Sequence, residues 1–187
     1  MSDTSPTAVV TGASRGFGRP IAAVLVAAGH TVIGIARREE DLRAARAELG
    51  DAFTPIVAAA TDEGLAHDVL HEHRPGLVVL NAGSSPHMAP IHEQTGDTFS
   101  GNRRSDTRHA FTWIRAALRE PLAPGSAVIA MSSGATLAGS PLSGGYASAK
   151  AAVRYLRGYA ADEAQRAGLD IRFVALLPQL APAGGVG

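Results

Sequence analysis

The sequence predicts an open, doubly wound parallel α/β sheet in three α/β/α layers, and three observations predict it. Short β-branched and apolar runs recur along the chain, helix-forming stretches separate them, and each run is apolar throughout rather than alternating. Strands that are apolar on both faces belong to a parallel sheet covered above and below by right-handed crossovers.

The strand runs are residues 8–11, 31–36, 54–58, 77–81, 127–132 and 171–177. Between them, residues 19–28, 39–49, 62–72, 98–119 and 147–167 are rich in alanine, leucine, arginine and glutamate and read as helices. Pro75-Gly76 and Pro124-Gly125 fall where a helix hands over to the next strand. No repeat or linker interrupts the pattern, so residues 1–187 read as one domain. Residues 179–187, with one proline and three glycines, follow the sixth strand directly and are expected to carry no further element.

The chain has 187 residues, 45% of them hydrophobic, which suits a packed globule. Seventeen basic residues balance seventeen acidic ones, so no global field draws the chain to nucleic acid or to an anionic membrane. The absence of cysteine excludes disulfides, thiolate metal sites and a cysteine nucleophile, and agrees with a reducing compartment, of which the cytoplasm is the simplest. The first residues lack a basic segment followed by an apolar one, and no apolar run approaches the roughly 20 residues of a membrane helix.

Directly after the first strand comes Thr11-Gly12-Ala13-Ser14-Arg15-Gly16-Phe17-Gly18, followed by an apolar helix. A pyrophosphate can approach backbone N–H groups closely only where side chains are missing, and the next helix presents free donors and a positive dipole end. Gly12, Gly16 and Gly18 meet those needs, which makes this a dinucleotide-binding domain of the Rossmann type. The plainer reading, a flexible strand-to-helix turn, loses weight from the placement.

The second strand ends in Ala36-Arg37-Arg38, where such folds contact the adenosine ribose. An acid there selects NAD and an arginine accommodates a 2′-phosphate, so Arg37 favours NADP(H) over NAD(H). Arg15 can supply a second guanidinium to the same phosphate. Arg38 is better read as a solvated residue pairing with Glu39, Glu40 or Asp41.

Further on, Asn81-Ala82-Gly83, Ser132-Ser133 and Tyr146-Ala147-Ser148-Ala149-Lys150 all fall at carboxyl ends of strands or just beyond, the rim where open α/β sheets bind ligands. Tyr146 and Lys150 are four apart and share a helix face. A phenol is a poor acid/base group at neutral pH, and a nearby ammonium corrects this by favouring the phenolate. The pair therefore suits proton exchange with a carbonyl or an alcohol, and a nearby serine hydroxyl could hold the substrate oxygen.

With these motifs in this order, the chain resembles the short-chain dehydrogenase/reductase family over about residues 7–178. The resemblance implies that Tyr146 is the catalytic acid/base, that Lys150 lowers its pKa and holds the nicotinamide ribose, and that Ser133, thirteen residues before the tyrosine, positions the substrate oxygen. It further implies that Asn102, in the long helix after strand four, carries a proton relay through water; a helix-interior asparagine or an N-cap is the alternative. Cofactor contacts would come from Gly12, Ser14, Arg15, Gly16, Phe17 and Gly18 of the loop, from Arg37, and from Asn81, Ala82 and Gly83. Tyr146, Lys150 and Pro178 complete that set. The family pairs subunits through the two long helices, so a homodimer or homotetramer is expected, with a small carbonyl or alcohol as substrate.

Three departures stand out. Alanine replaces the aspartate expected after strand three in Val57-Ala58-Ala59-Ala60, Pro178-Gln179 replaces Pro-Gly, and no substrate lid or seventh strand is read after strand six. A non-catalytic dinucleotide-binding or sensor protein, an inactive truncated relative, and a dimerisation partner for a full-length relative are therefore the competing readings. His71 and His73 read as solvated surface rather than metal ligands, His87 and His92 as bland loop residues, and Phe111 and Trp113 as core or subunit contacts.

Overall fold

The computed structural model describes residues 6–120 and 122–179. Six strands alternate with helices: β1 (Thr7–Thr11), α1 (Gly18–Ala27), β2 (Thr31–Ala36), α2 (Glu39–Leu49), β3 (Phe53–Val57), α3 (Glu63–His73) and β4 (Leu77–Leu80). Then follow α4 (Gly96–Asn102), α5 (Arg108–Arg119), β5 (Ser126–Met131), the short α6 (Ala135–Ala138), α7 (Gly144–Arg166) and β6 (Ile171–Leu176). All strand pairings are parallel, and the order across the sheet is β3-β2-β1-β4-β5-β6. Chain direction across the sheet reverses between β1 and β4, the switch point at which such folds open a crevice.

Alternate residues of each central strand feed two cores. Val9, Val78 and Val128 pack with α3, α5 and α7 on one face, while Ala8, Val10 and Val79 pack with α1 and α2 on the other. Trp113 is fully buried in the first core, and its indole donates to the Ala60 carbonyl at 2.8 Å. Phe111, two residues before it, remains exposed.

Three expectations need correction. The third strand begins at Phe53 rather than Thr54, because the Phe53 ring packs over Gly34 of β2, where a Cβ would lie 2.1 Å from the ring. Pro55 is tolerated because β3 is an edge strand. The fourth strand stops at Leu80, since Asn81 turns away to bind the first loop.

The long helix read as residues 98–119 is not continuous. It starts at Gly96, where Thr95 and Thr98 form a reciprocal cap, and it widens into a π-turn at Arg103–Thr107 between α4 and α5. Such turns insert one extra residue into the helix and recur at functional sites. The last strand ends at Leu176, and the expectation that nothing structured follows it lies, beyond Gln179, outside the described residues. Among the described residues, no helix is long and apolar enough to cross a membrane.

Candidate active site

The glycine-rich turn is built from backbone. Gly12 adopts φ +68°, and a Cβ at Gly18 would lie 2.0 Å from the Gly12 carbonyl, so neither position admits another residue without movement. Asn81 pins the turn from the β4 side: its Nδ2 donates to the Thr11 carbonyl at 3.2 Å and the Gly12 carbonyl at 3.3 Å. The Thr11 hydroxyl accepts from the backbone N–H of Asn81 and of Ala82. The two motifs read separately along the chain are thus one hydrogen-bonded unit at the switch point.

Over this unit lies a cavity of about 260 Å³, lined by Gly12, Ser14, Arg15, Gly16 and Phe17 from the turn, by Arg37, and by Asn81, Ala82 and Gly83. Gly18 lies buried beneath it. Arg15 and Arg37 are exposed, and among the described residues neither is in an ion pair. Arg38 pairs instead with Asp41, Nε to Oδ2 at 3.1 Å. Ala58 and Ala60 line the same cavity where the expected aspartate is missing; Asp62 caps α3 by accepting from Leu65 N.

A second cavity of about 450 Å³ shares Arg37, Ala82 and Gly83 with the first and continues past Ser84, His87 and Asn102. Its floor contains a buried polar cluster. Asn102 Nδ2 donates to the Ser84 carbonyl at 2.9 Å and to Ser84 Oγ at 3.0 Å. Asp106, within the π-turn, accepts from Ser84 N at 2.9 Å and from Ser105 Oγ at 2.7 Å through Oδ1. Asp106 Oδ2 lies 3.3 Å from Lys150 Nζ, and both side chains are buried.

Lys150 Nζ also donates to the Met131 carbonyl at 3.0 Å and lies 5.8 Å from the centre of the Tyr146 ring. Tyr146 and Lys150 stand one turn apart on α7, whose start is fixed by a close crossing: a Cβ at Gly145 would come 2.4 Å from the Phe99 carbonyl of α4. Ser132 is buried, and its hydroxyl donates to the Lys150 carbonyl at 2.8 Å, steadying the helix rather than facing the rim. Ser133 is half-buried and accepts from Ala135 N at 3.2 Å; among the described residues no hydrogen bond joins it to Tyr146. Pro178 accepts from Gly134 N at 2.9 Å, and Gln179 packs against Gly134.

Two groups escaped the sequence reading, Asp106 and His109. His109 is buried next to them and hydrogen-bonded to the Ala82 backbone; burial first, then the Lys150 charge, lowers its pKa from 6.5 to about 4. A signal existed: residues 106, 109, 110 and 113 share one helical face with the buried tryptophan, so both polar groups point inward. At the far end of the same face, His67 and His71 of α3 both meet Glu120, Nδ1 to carboxylate at 2.7 and 3.1 Å. No three-residue metal cluster exists among the described residues.

Comparison with known proteins agrees with this fold. The family model for short chain dehydrogenases matches residues 6–182. An NADPH-dependent pterin aldehyde reductase of Arabidopsis thaliana is 30% identical over 84% of this chain and 68% of its own length. A Dichelobacter nodosus protein, named as a probable NADP-dependent dehydrogenase, is 47% identical over 46% of this chain and 85% of its own. A short-chain dehydrogenase structure from Streptomyces avermitilis superposes with a TM-score of 0.81 at 30% identity, covering 95% of this chain and 66% of that one.

Proposed function

The chain belongs to the short-chain dehydrogenase family, and from that premise we propose that it is an NADP(H)-dependent oxidoreductase interconverting a carbonyl and an alcohol, with Tyr146 as the general acid/base. The observation that carries the reading is the joint between Thr11-Gly12 and Asn81, which opens a cavity at the switch point with two uncommitted arginines on its rim.

The residues fit a dinucleotide phosphate. The exposed, positive-φ Gly16 leaves the backbone of the turn approachable, and the cavity is walled by exposed Arg15 and Arg37. Arg37 would take the 2′-phosphate, since a guanidinium offers paired donors to phosphate oxygens and, among the described residues, no acid stands beside it in an ion pair. Two of the relatives carry NADP or NADPH in their names, which supports the same preference. Lys150 would hold the nicotinamide ribose, with Pro178 and the Asn81 segment beside it.

When bound, the nicotinamide supplies or accepts the hydride at the substrate carbon. Tyr146 Oη gives the proton to the carbonyl oxygen in reduction and removes it in oxidation, the Ser133 hydroxyl holds that oxygen, and Lys150 favours the phenolate by its charge. Asn102 is the proposed relay residue, although its amide is committed to Ser84. A homodimer through the faces of α5 and α7 that expose Phe111, Tyr155 and Tyr159 completes the proposal.

The test is a panel of ketones, aldehydes and alcohols assayed with NADPH or NADP for the parent chain and for Tyr146→Phe. Turnover by the parent alone is the expected result. Nucleotide binding without turnover of any compound would overturn the enzyme reading in favour of a binding or sensor protein.

A further inference from the structure

Breaking a buried ion pair by removing one partner leaves an uncompensated charge, so a carboxylate placed against a buried lysine governs that lysine's electrostatics. Three independent features place Asp106 there. The π-turn at Arg103–Thr107 holds it inward. Gly83 faces it so closely that a Cβ would lie 3.1 Å from Oδ2. Donors from Ser84 and Ser105 orient Oδ1, which leaves Oδ2 toward Lys150 Nζ at 3.3 Å. We propose that Asp106 is the counter-ion of Lys150 and sets how much positive charge reaches Tyr146, so that Lys150 acts on the acid/base tyrosine with a partly offset charge rather than as a free ammonium.

The groups facing Lys150 are few. From β5 comes the Met131 carbonyl, from α7 the Tyr146 ring, from the π-turn Asp106, and from α5 His109. His109 is neutral at working pH, so it neither opposes nor replaces the lysine's charge. Asp106 is the one acidic side chain paired with Lys150 among the described residues. A positioning role of this kind differs from that of an asparagine at the same place, whose amide would orient the lysine without cancelling its charge.

The inference rests on the proposed role of Tyr146, but its test does not need a substrate. The chain has three tyrosines, and Tyr155 and Tyr159 are 71% and 67% exposed, so replacing both by phenylalanine leaves Tyr146 as the sole phenol to follow by phenolate absorbance. In this background Asp106→Asn and Asp106→Ala should each move the Tyr146 midpoint to lower pH. Asp106→Glu, which keeps the charge, should return it towards the parent value. An unmoved midpoint in folded neutral variants, or an equal shift in Asp106→Glu, would overturn the proposal.

If the neutral variants do not fold, Lys150→Met with Asp106→Asn is compared with Lys150→Met alone by cooperative unfolding. A counter-ion predicts that removing both charges restores stability, and no restoration refutes it. Absence of turnover would refute the enzyme reading and leave this titration intact.

Discussion

On the β1–β2 side of the rim the site is made of backbone and exposed cations: a glycine turn over the β1 end, with Arg15 and Arg37 standing in solvent. On the β4–β5 side it is made of buried side chains, with Lys150, Asp106 and His109 packed together beneath Ser84 and Tyr146. The first half suits a large anionic ligand that arrives with its own charge and binds to preformed donors. The second suits proton chemistry, because charges in a low-dielectric setting act strongly on one another. On the proposed roles, the rim arginines set nucleotide preference and the buried cluster tunes Tyr146, so substitutions in the two halves should fail in different ways.

The largest separation is expected from Tyr146→Phe. Removing a general acid/base group costs on the order of 10²–10⁴ in turnover, while NADPH affinity, measured by nicotinamide fluorescence, should stay near that of the parent. Parallel loss of both would show that the halves are not independent.

Acid should expose the buried half next. The folded pKa of His109, about 4, lies below its unfolded value of 6.5, so between those values the unfolded chain takes up a proton that the folded chain refuses. Stability present above about pH 6.5 should therefore fall as pH drops towards 4, by about 3 kcal/mol in full. Urea unfolding across that range measures it, and His109→Gln should flatten the curve; an undiminished slope in that variant would assign the loss elsewhere.

A smaller effect belongs to the sheet that carries the glycine turn. Gly34→Ala drives a methyl into the Phe53 ring, and overpacking of this kind costs roughly 1–3 kcal/mol. Thermal unfolding should show the loss with little change in the Tyr146 titration. A substantial shift in that titration would link the two halves through the sheet.

The same division explains what was legible in the sequence. The glycine turn, Asn81-Ala82-Gly83 and the Tyr146–Lys150 pair are local patterns, each within a few residues, and the doubly wound sheet follows from apolar runs alternating with helices. Phe53 was missed as a strand residue because its partner, Gly34, lies in another strand. Asp106 stands in Arg103-Arg104-Ser105-Asp106-Thr107-Arg108, a run that reads as solvated; its helical spacing from Trp113 is a faint inward signal, and the π-turn and the chain segments at Ser84 and Lys150 are what bury it. For the same reason His67 and His71 gave no hint of Glu120, which reaches them from the end of α5. Contacts between distant segments carry no local pattern.

The smallest expected effect is also the most direct probe of the cofactor half. Titrating the purified chain with NADPH and with NADH by nicotinamide fluorescence should show tighter binding of NADPH. Arg37→Ala should erase that preference at a cost of about tenfold in NADPH affinity, in line with the loss of a charge-assisted contact worth about 1.5 kcal/mol. Equal affinity for both nucleotides in the parent chain, or a preference that survives Arg37→Ala, would contradict the assignment of this rim to NADP(H).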